Sequence, residues 1–134
     1  MLEKRIKEVV PEHLKQFSKL TPGHDPYYFD AWDNEVTETI IRYWFWNKGR
    51  TKKNRKRVFV SEITVLLKNK LGDRQIDRGD FELFCPKTNR DGGCGFAVII
   101  RILEYLDIVR FNSGQYQIHN PSETLRLLNQ NGLT

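Results

Sequence analysis

The most chemically distinctive feature of the sequence is a dense run of positive charge between residues 48 and 57. Seven of these ten residues are basic and none is acidic: Lys48, Arg50, Lys52, Lys53, Arg55, Lys56 and Arg57. The run lies inside the chain, between the aromatic residues 43–46 and the apolar residues 58–60, which predicts a loop pinned within the fold and not a disordered tail. Such a loop is suited to a polyanion, and nucleic acid is the commonest polyanionic partner.

Smaller groups of polar and basic side chains add to this surface. They are Lys87, Asn89 and Arg90 before a predicted helix, Arg101 on the outer face of that helix, and Arg110, Asn112, Ser113 and Gln115 on a predicted β-hairpin. All of them can contact phosphates without reading base sequence. We therefore predict a surface with three corners, which are the basic run, the segment 87–90 and the hairpin.

Four consecutive aromatic residues, Tyr43, Trp44, Phe45 and Trp46, precede the basic run. Aromatic rings can stack on bases, but on the helix expected here they point in several directions, so we assign at least two of them to the core. The outward member, Phe45 or Trp46, would stack on a base or mark a protein interface.

The cysteines and histidines do not form a metal-binding pattern. Zinc modules bring their ligands in close pairs, and no such pair occurs among Cys85, Cys94, His13, His24 and His119. We expect no metal and no other cofactor.

One acidic group is loosely similar to the clusters of acids and a lysine that hold magnesium in nucleases: Asp77, Asp80, Glu82 and Lys87. These residues lie in a glycine-punctuated stretch with arginines interleaved, so salt bridges and turns explain them more simply. We expect a protein without enzymatic activity, and a metal-dependent nuclease ranks third among the functions considered.

The chain has 134 residues and a net charge of +5, which fits one domain with one core. No stretch approaches the roughly 20 apolar residues that span a bilayer, and no apolar leader follows Met1. We therefore expect a soluble, cytoplasmic protein with reduced cysteines, associated with the nucleoid if bacterial and nuclear if eukaryotic.

The apolar spacing divides the chain into an arm, a linker and a main domain. Residues 1–20 form a helical arm, and prolines and a glycine mark residues 21–31 as a linker. Residues 32–134 form the domain, with an inserted loop at 73–95 in which a short helix can form around 81–84. The first helix of the domain is capped by Asp30 and stopped by Gly49, with Trp32, Val36 and Ile40 on one face. The later elements are a strand at 58–60, a helix from an N-cap at Ser61 to Gly72, a helix over 96–106, a hairpin of 108–111 and 115–119, and a short closing helix after Asn120.

This order of elements resembles the winged helix-turn-helix superfamily over residues 32–119. Residues 102–109 (Ile-Leu-Glu-Tyr-Leu-Asp-Ile-Val) followed by 114–118 (Gly-Gln-Tyr-Gln-Ile) are similar to the passage from recognition helix into wing. The resemblance implies a mainly α fold with a small β-hairpin wing, an extra N-terminal helix and a short C-terminal helix. The long stretch 73–95 departs from the pattern, and the third helix offers few side chains that read bases.

The resemblance and the basic surface together imply a DNA-binding winged-helix protein that contacts mainly the phosphate backbone, with double-stranded DNA as the expected partner. It would act as a regulator or as a module of replication, transposition or repair. The alternative is a docking module that binds a protein partner through exposed aromatic residues or the N-terminal arm.

Overall fold

Two antiparallel β-sheets and six helices make up residues 1–35 and 37–129, which are the residues that the computed structural model describes. In chain order the elements are α1 (Leu2–Val9), β1 (Gln16–Phe17), β2 (Tyr27–Glu35), β3 (Glu38–Trp46), β4 (Lys53–Phe59), α2 (Val60–Lys70), β5 (Gln75–Ile76), α3 (Arg78–Phe84), α4 (Pro86–Asp91), α5 (Gly95–Tyr105), β6 (Val109–Asn112), β7 (Gln115–Ile118) and α6 (Pro121–Asn129). Val36 of the predicted first helix and residues 130–134 of the predicted domain lie outside the described residues.

The first half of the chain forms a sheet with the strand order β1-β2-β3-β4. The described residues are 41% helix and 29% strand, so the expected mainly α fold with a small hairpin wing is wrong. The helix predicted between Asp30 and Gly49 is instead the pair β2 and β3. Residues 37–46 are mostly β-branched and aromatic, which favours strands, and the alternation of buried Ile41 and Tyr43 with half-buried Arg42 and Trp44 has the strand period of two.

The basic run is part of the same sheet and is not a loop. Residues 53–57 belong to β4, and residues 48–52 form the turn that joins β3 to β4. The strand predicted at 58–60 is also wrong in its bounds, because β4 ends at Phe59 and α2 begins at Val60. Phe59, and not Ser61, therefore occupies the N-cap position of α2.

The second half follows the sequence predictions more closely. The predicted helices at 61–72, at 96–106 and after Asn120 are confirmed as α2, α5 and α6, and the predicted hairpin is confirmed as β6 and β7. β7 also pairs with β5, which gives a second sheet with the order β5-β7-β6. The stretch 73–95 is not one long loop, because it contains β5, α3 and α4, and the short helix expected around 81–84 is part of α3. A reciprocal capping box between Asp77 and Asp80 starts α3.

Helix α5 lies at the centre of the hydrophobic core. Eight of its eleven residues are buried, and they form one cluster with the buried face of the first sheet, which includes Ile41, Tyr43 and Val58. The amphipathic helix α1 adds Leu2 and Ile6 to this cluster. Within the described residues, every helix is too short or too polar to cross a bilayer.

Candidate nucleic-acid interface

The turn between β3 and β4 presents the first part of the basic run. The backbone N–H of Asn47 donates to the carbonyl of Lys52 at 2.9 Å. The side-chain oxygen of Asn47 accepts from the backbone N–H groups of Thr51 at 2.8 Å and Lys52 at 3.2 Å. Arg50 adopts a left-handed conformation with φ of 55°. Lys48, Arg50 and Lys52 are therefore held on a hydrogen-bonded turn.

The pairing of β3 with β4 distributes the remaining cations between the two faces of the sheet. Residues that pair across antiparallel strands share a face, and the pairs are Arg42 with Arg57, Trp44 with Arg55, and Trp46 with Lys53. Their face is the outer one, because the alternate residues Tyr43 and Val58 are fully buried. Lys56 pairs with Tyr43, so its side chain leaves β4 on the inner face of the sheet. We call the surface formed by β2, β3 and β4 on the side of Trp44 the outer face.

Aromatic rings lie among the cations of the outer face. Tyr28 stacks on Trp44 with ring centroids 4.5 Å apart, and Trp46 meets Trp44 edge-on at 5.3 Å. The ammonium group of Lys53 lies 4.3 Å from the centroid of the Trp44 ring and 5.7 Å from that of Trp46. These distances are in the range of cation–π contacts, so rings and positive charge are interleaved on one surface.

The arginines and lysines of the hairpin differ in their partners. Each arginine is paired with a carboxylate: Arg42 with Asp33 at 2.6 Å, Arg50 with Asp25 at 2.8 Å, Arg55 with Asp30 at 3.8 Å, and Arg57 with Asp91 at 3.0 Å. Lys48, Lys52, Lys53 and Lys56 form no ion pair with any residue between 1 and 129 that the structure describes. The lysine charges are thus not neutralised by a neighbouring acid.

Helix α4 covers the free edge of β4. The backbone N–H of Phe59 donates to Thr88 Oγ1 at 3.0 Å, and that of Arg57 donates to Asp91 Oδ2 at 2.7 Å. The guanidinium of Arg57 also donates to Asp91, and this hydrogen bond raises the pKa of Arg57 above its ordinary value. These contacts protect the edge of the sheet from pairing with another strand and fix the start of the segment 87–90 beside the basic run.

Glu62 of α2 sets the position of α4. Its buried carboxylate accepts hydrogen bonds from the backbone N–H groups of Lys87 and Thr88, both at 2.8 Å, and from the hydroxyl of Thr88 at 2.7 Å. A carboxylate at this place satisfies the unpaired amides at the helix N-terminus and interacts favourably with the helix dipole.

The predicted corner at 87–90 lies against the end of β4. A groove of about 270 Å³ is lined by Arg57, Phe59, Lys87, Arg90 and Asp91. Lys87 Nζ lies 4.8 Å from the Phe59 ring centroid and forms an ion pair with Glu38. Asn89 is half-buried in α4. The structure therefore brings two of the three predicted corners together.

A larger groove of about 600 Å³ opens at the tip of the β3–β4 hairpin. Its lining includes Phe45 and Trp46, together with Lys19, His24, Lys48 and Arg50. Asp25, which pairs with Arg50, supplies the acid of the lining, and Asn47 and Asn54 supply amides. We call this space the tip groove. None of the predicted corners included Lys19 or His24.

Helix α5 cannot serve as a recognition helix in this arrangement. Its face toward the first sheet is buried, and Arg101 donates to the backbone carbonyls of Ser18 at 2.8 Å and Lys19 at 3.1 Å. Arg101 also pairs with Glu104 at 2.5 Å. The side chain of Arg101, which was expected to contact phosphate, thus makes its hydrogen bonds within the protein.

The predicted wing corner belongs to the second sheet. Its four residues, Arg110, Asn112, Ser113 and Gln115, are exposed on β6, on β7 or in the turn between them. Asp107 forms a hydrogen bond with His119 at 2.8 Å and an ion pair with Arg110 at 3.3 Å. The bond to His119, aided by the charge of Arg110, lowers the pKa of Asp107.

The acids considered for a nuclease site have structural contacts. Asp77 caps α3, and Asp80 pairs with Lys70 at 3.0 Å, while Glu82 is exposed. Lys87 points to Glu38 instead of to these acids. Among the described residues, no group of three or more His, Cys, Asp or Glu side chains is placed to hold a metal ion.

The two cysteines are free thiols with different surroundings. Cys85 is fully buried, and burial raises the pKa of its thiol to about 12. Cys94 is half-buried, and its sulfur lies 2.9 Å from the hydroxyl of Tyr43. Burial and the nearby Cys94 raise the pKa of Tyr43, so its hydroxyl stays neutral.

Tyr28, Lys19 and His24 are the functional candidates that the sequence reasoning missed. The alternation of residues 43–46 between two faces was the available signal: once these residues form a strand, Tyr43 and Phe45 point one way and Trp44 and Trp46 the other. A helix over residues 32–47 leaves no strand beside Tyr28, so the sequence prediction does not bring Tyr28 next to Trp44, its partner in the sheet.

Comparison of the chain with protein-family models, with curated proteins and with solved structures found no match.

Proposed function

We propose that this chain is a nucleic-acid-binding module that holds a phosphate backbone against the outer face and the hairpin turn. The observation that carries the proposal is that Lys48, Lys52, Lys53 and Lys56 form no ion pair with any described residue. Lys48 and Lys52 lie on the turn, and Lys53 lies on the outer face against the rings of Trp44 and Trp46. Lysine and arginine clusters of this kind bind phosphates and release counterions. As a binding module, the protein would act in regulation, replication, transposition or repair without an enzymatic step of its own.

The burial of α5 supports the choice of the first sheet as the binding surface. Eight of the eleven residues of α5 are buried, and the first sheet packs on this helix. We therefore assign the binding surface to the first sheet, which covers α5.

Salt dependence tests the proposal directly. Binding of a labelled oligonucleotide is measured by fluorescence anisotropy between about 50 and 200 mM salt, a range over which several phosphate contacts change affinity strongly. Replacing four cations with glutamine should lower affinity roughly 100-fold and reduce the slope of log K against log salt by about 3. The four positions are Lys48, Lys52, Lys53 and Arg55.

A matched variant controls for net charge. It replaces four exposed cations away from the hairpin with glutamine: Lys4, Arg5, Lys15 and Lys68. We expect affinity and slope close to those of the unmodified protein. Equal slopes for the two quadruple variants and the unmodified protein would show that the hairpin does not hold phosphates.

A docking module is the second candidate, and the exposed apolar side chains favour it. Leu83 is 69% exposed and Phe111 is 58% exposed, which suits an apolar interface. Binding of a protein through these residues should respond weakly to salt, so the same titration separates the two functions.

A further inference from the structure

We propose that the tip groove takes an unpaired base, so that the preferred ligand is a single strand of nucleic acid. The inference rests on the proposed function and adds the class of ligand. The groove of about 600 Å³ lies within the range of sites that enclose small molecules and cofactors. Its lining joins aromatic rings, amides and cations, which are the groups that hold a base, its edge and its phosphate.

Two aromatic rings of the groove, from consecutive residues of β3, each have a cation close to them. Arg50 lies 5.9 Å from the centroid of the Trp46 ring, and Lys19 Nζ lies 6.0 Å from that of Phe45. Each ring is thus paired with a cation that can also contact a phosphate. Asn54, which pairs with Phe45 across the strands, can both donate to and accept from a base edge.

Charge complementarity identifies the occupant. Lys19, Lys48 and Arg50 surround the groove, and one carboxylate, Asp25, faces them. Asp25 already pairs with Arg50. A neutral apolar peptide would leave the charges of Lys19 and Lys48 without a counterion, whereas the phosphates on either side of a base would supply one. A base inside a duplex is stacked and paired, so it enters such a groove only after costly extrusion. The groove therefore favours a strand whose bases are already free.

The outer face continues this surface along the sheet. The ring of Trp44 contacts those of Tyr28 and Trp46 and the ammonium group of Lys53. A strand that places one base in the tip groove can run its phosphates past Lys53 and Arg55, which lie on the same face. The β3–β4 hairpin thus offers contacts both to a base and to the phosphate backbone of the strand.

The test compares strands that differ only in their bases. The probes are a single strand of mixed sequence, the same strand with abasic sites throughout, and the duplex of that sequence, in DNA and RNA forms at one salt concentration. A stacked base contributes an affinity difference of about 5- to 150-fold. The base-bearing strand should bind tighter than its abasic equivalent by a factor in this range for DNA, for RNA or for both.

Substitution of one ring assigns the effect to the groove. Trp46→Ala should remove most of the difference between base-bearing and abasic strands while leaving abasic binding within about twofold. Phe111→Ala, which removes an exposed ring from the other hairpin, should leave the difference intact. Circular dichroism of both variants checks that the sheet is retained, and the comparison of strands on the unmodified protein does not depend on any variant.

The same measurements distinguish failure of the base-binding inference from failure of the proposed phosphate-binding function. If base-bearing and abasic strands bind equally and the salt dependence stays steep, the base-binding inference is overturned and the phosphate-binding function stands. If the duplex binds tighter than the single strand, the inference is likewise overturned. If no probe binds at low salt, the proposed function is lost and the inference with it.

Discussion

The hairpins β3–β4 and β6–β7 are built from similar residues but differ in how they are anchored. Both carry arginine and paired aromatic rings, as in Trp44 with Trp46 and Phe111 with Tyr116. The β3–β4 hairpin has eight cations and buries its inner face on the core, whereas the β6–β7 hairpin has one cation, Arg110, and a largely exposed end. The dense positive charge thus lies on the hairpin that is anchored by a buried face. Burial of the inner face of β3–β4 offsets the repulsion among its like charges.

The largest expected difference concerns the thiols. Cys85, with its pKa raised to about 12, is almost entirely protonated at neutral pH, and only the thiolate reacts. Alkylation of Cys94, which is half-buried, should therefore be much faster than that of the fully buried Cys85 in the folded protein. Mass spectrometry after timed labelling measures both rates.

The same labelling tests how firmly β3 is anchored. Tyr43→Phe removes the hydroxyl that contacts Cys94, so labelling of Cys94 should accelerate. Tyr116→Phe, the matched change in the β6–β7 hairpin, should leave the rate of Cys94 unchanged. Equal acceleration by the two variants would contradict the difference in anchoring.

Removal of one aromatic ring from each hairpin should lower the free energy of unfolding of the protein by different amounts. Phe45 is half-buried and packs edge-on against Tyr27 at 5.4 Å, so Phe45→Ala should lower the free energy of unfolding by about 2 kcal/mol. Phe111→Ala removes a ring that is 58% exposed and should cost less than about 1 kcal/mol. Urea denaturation followed by circular dichroism gives both values, and similar losses would refute the contrast.

Reversal of one charge should weaken oligonucleotide binding in the β3–β4 hairpin but not in the β6–β7 hairpin. Arg55 is exposed on the outer face and only loosely paired with Asp30 at 3.8 Å, so Arg55→Glu should weaken oligonucleotide binding about tenfold at moderate salt. Arg110→Glu makes the same change in charge and should alter affinity less than twofold. A larger effect for Arg110 would move the interface to the second sheet.

The smallest effect is expected from pH at the β6–β7 hairpin. The folded state lowers the pKa of Asp107, chiefly through the bond to His119, so this carboxylate stabilises the fold above its ordinary pKa of about 3.9. That stabilisation is lost as the pH falls through the lowered value. Asp107→Asn should slightly reduce the melting temperature at pH 7, and its difference from the unmodified protein should vanish in acid.

The second half of the chain was predictable because its signals are local. Turn residues between two alternating segments predicted β6 and β7, and apolar spacing predicted α2 and α5. The first half depends on pairing between distant residues: Tyr28 meets Trp44 and Trp46 meets Lys53 only when three strands assemble. The spacing of Trp32, Ile40 and their neighbours predicts a helix, whereas their β-branched and aromatic side chains favour a strand. Tertiary packing selects the strand.

The candidate site was predicted in composition but not in shape. The basic run itself is evident from the sequence, whereas the faces on which its cations lie depend on the strand register. The tip groove could not be foreseen, since it needs Lys19 and His24 from a segment that the sequence marks only as the end of an arm and a linker. Nothing in the local pattern of residues 19–24 indicates that they lie beside Trp46.

The alternation along β4 also determines which changes of chain length the protein can tolerate. A residue added in the turn 48–52 lengthens the tip and leaves every strand pair in place. A residue added between Lys53 and Arg57 reverses the side chains beyond it, so that an arginine would turn toward the core and Val58 toward solvent. Insertions and deletions in relatives of this chain should therefore collect in the turn and avoid the strand beside it.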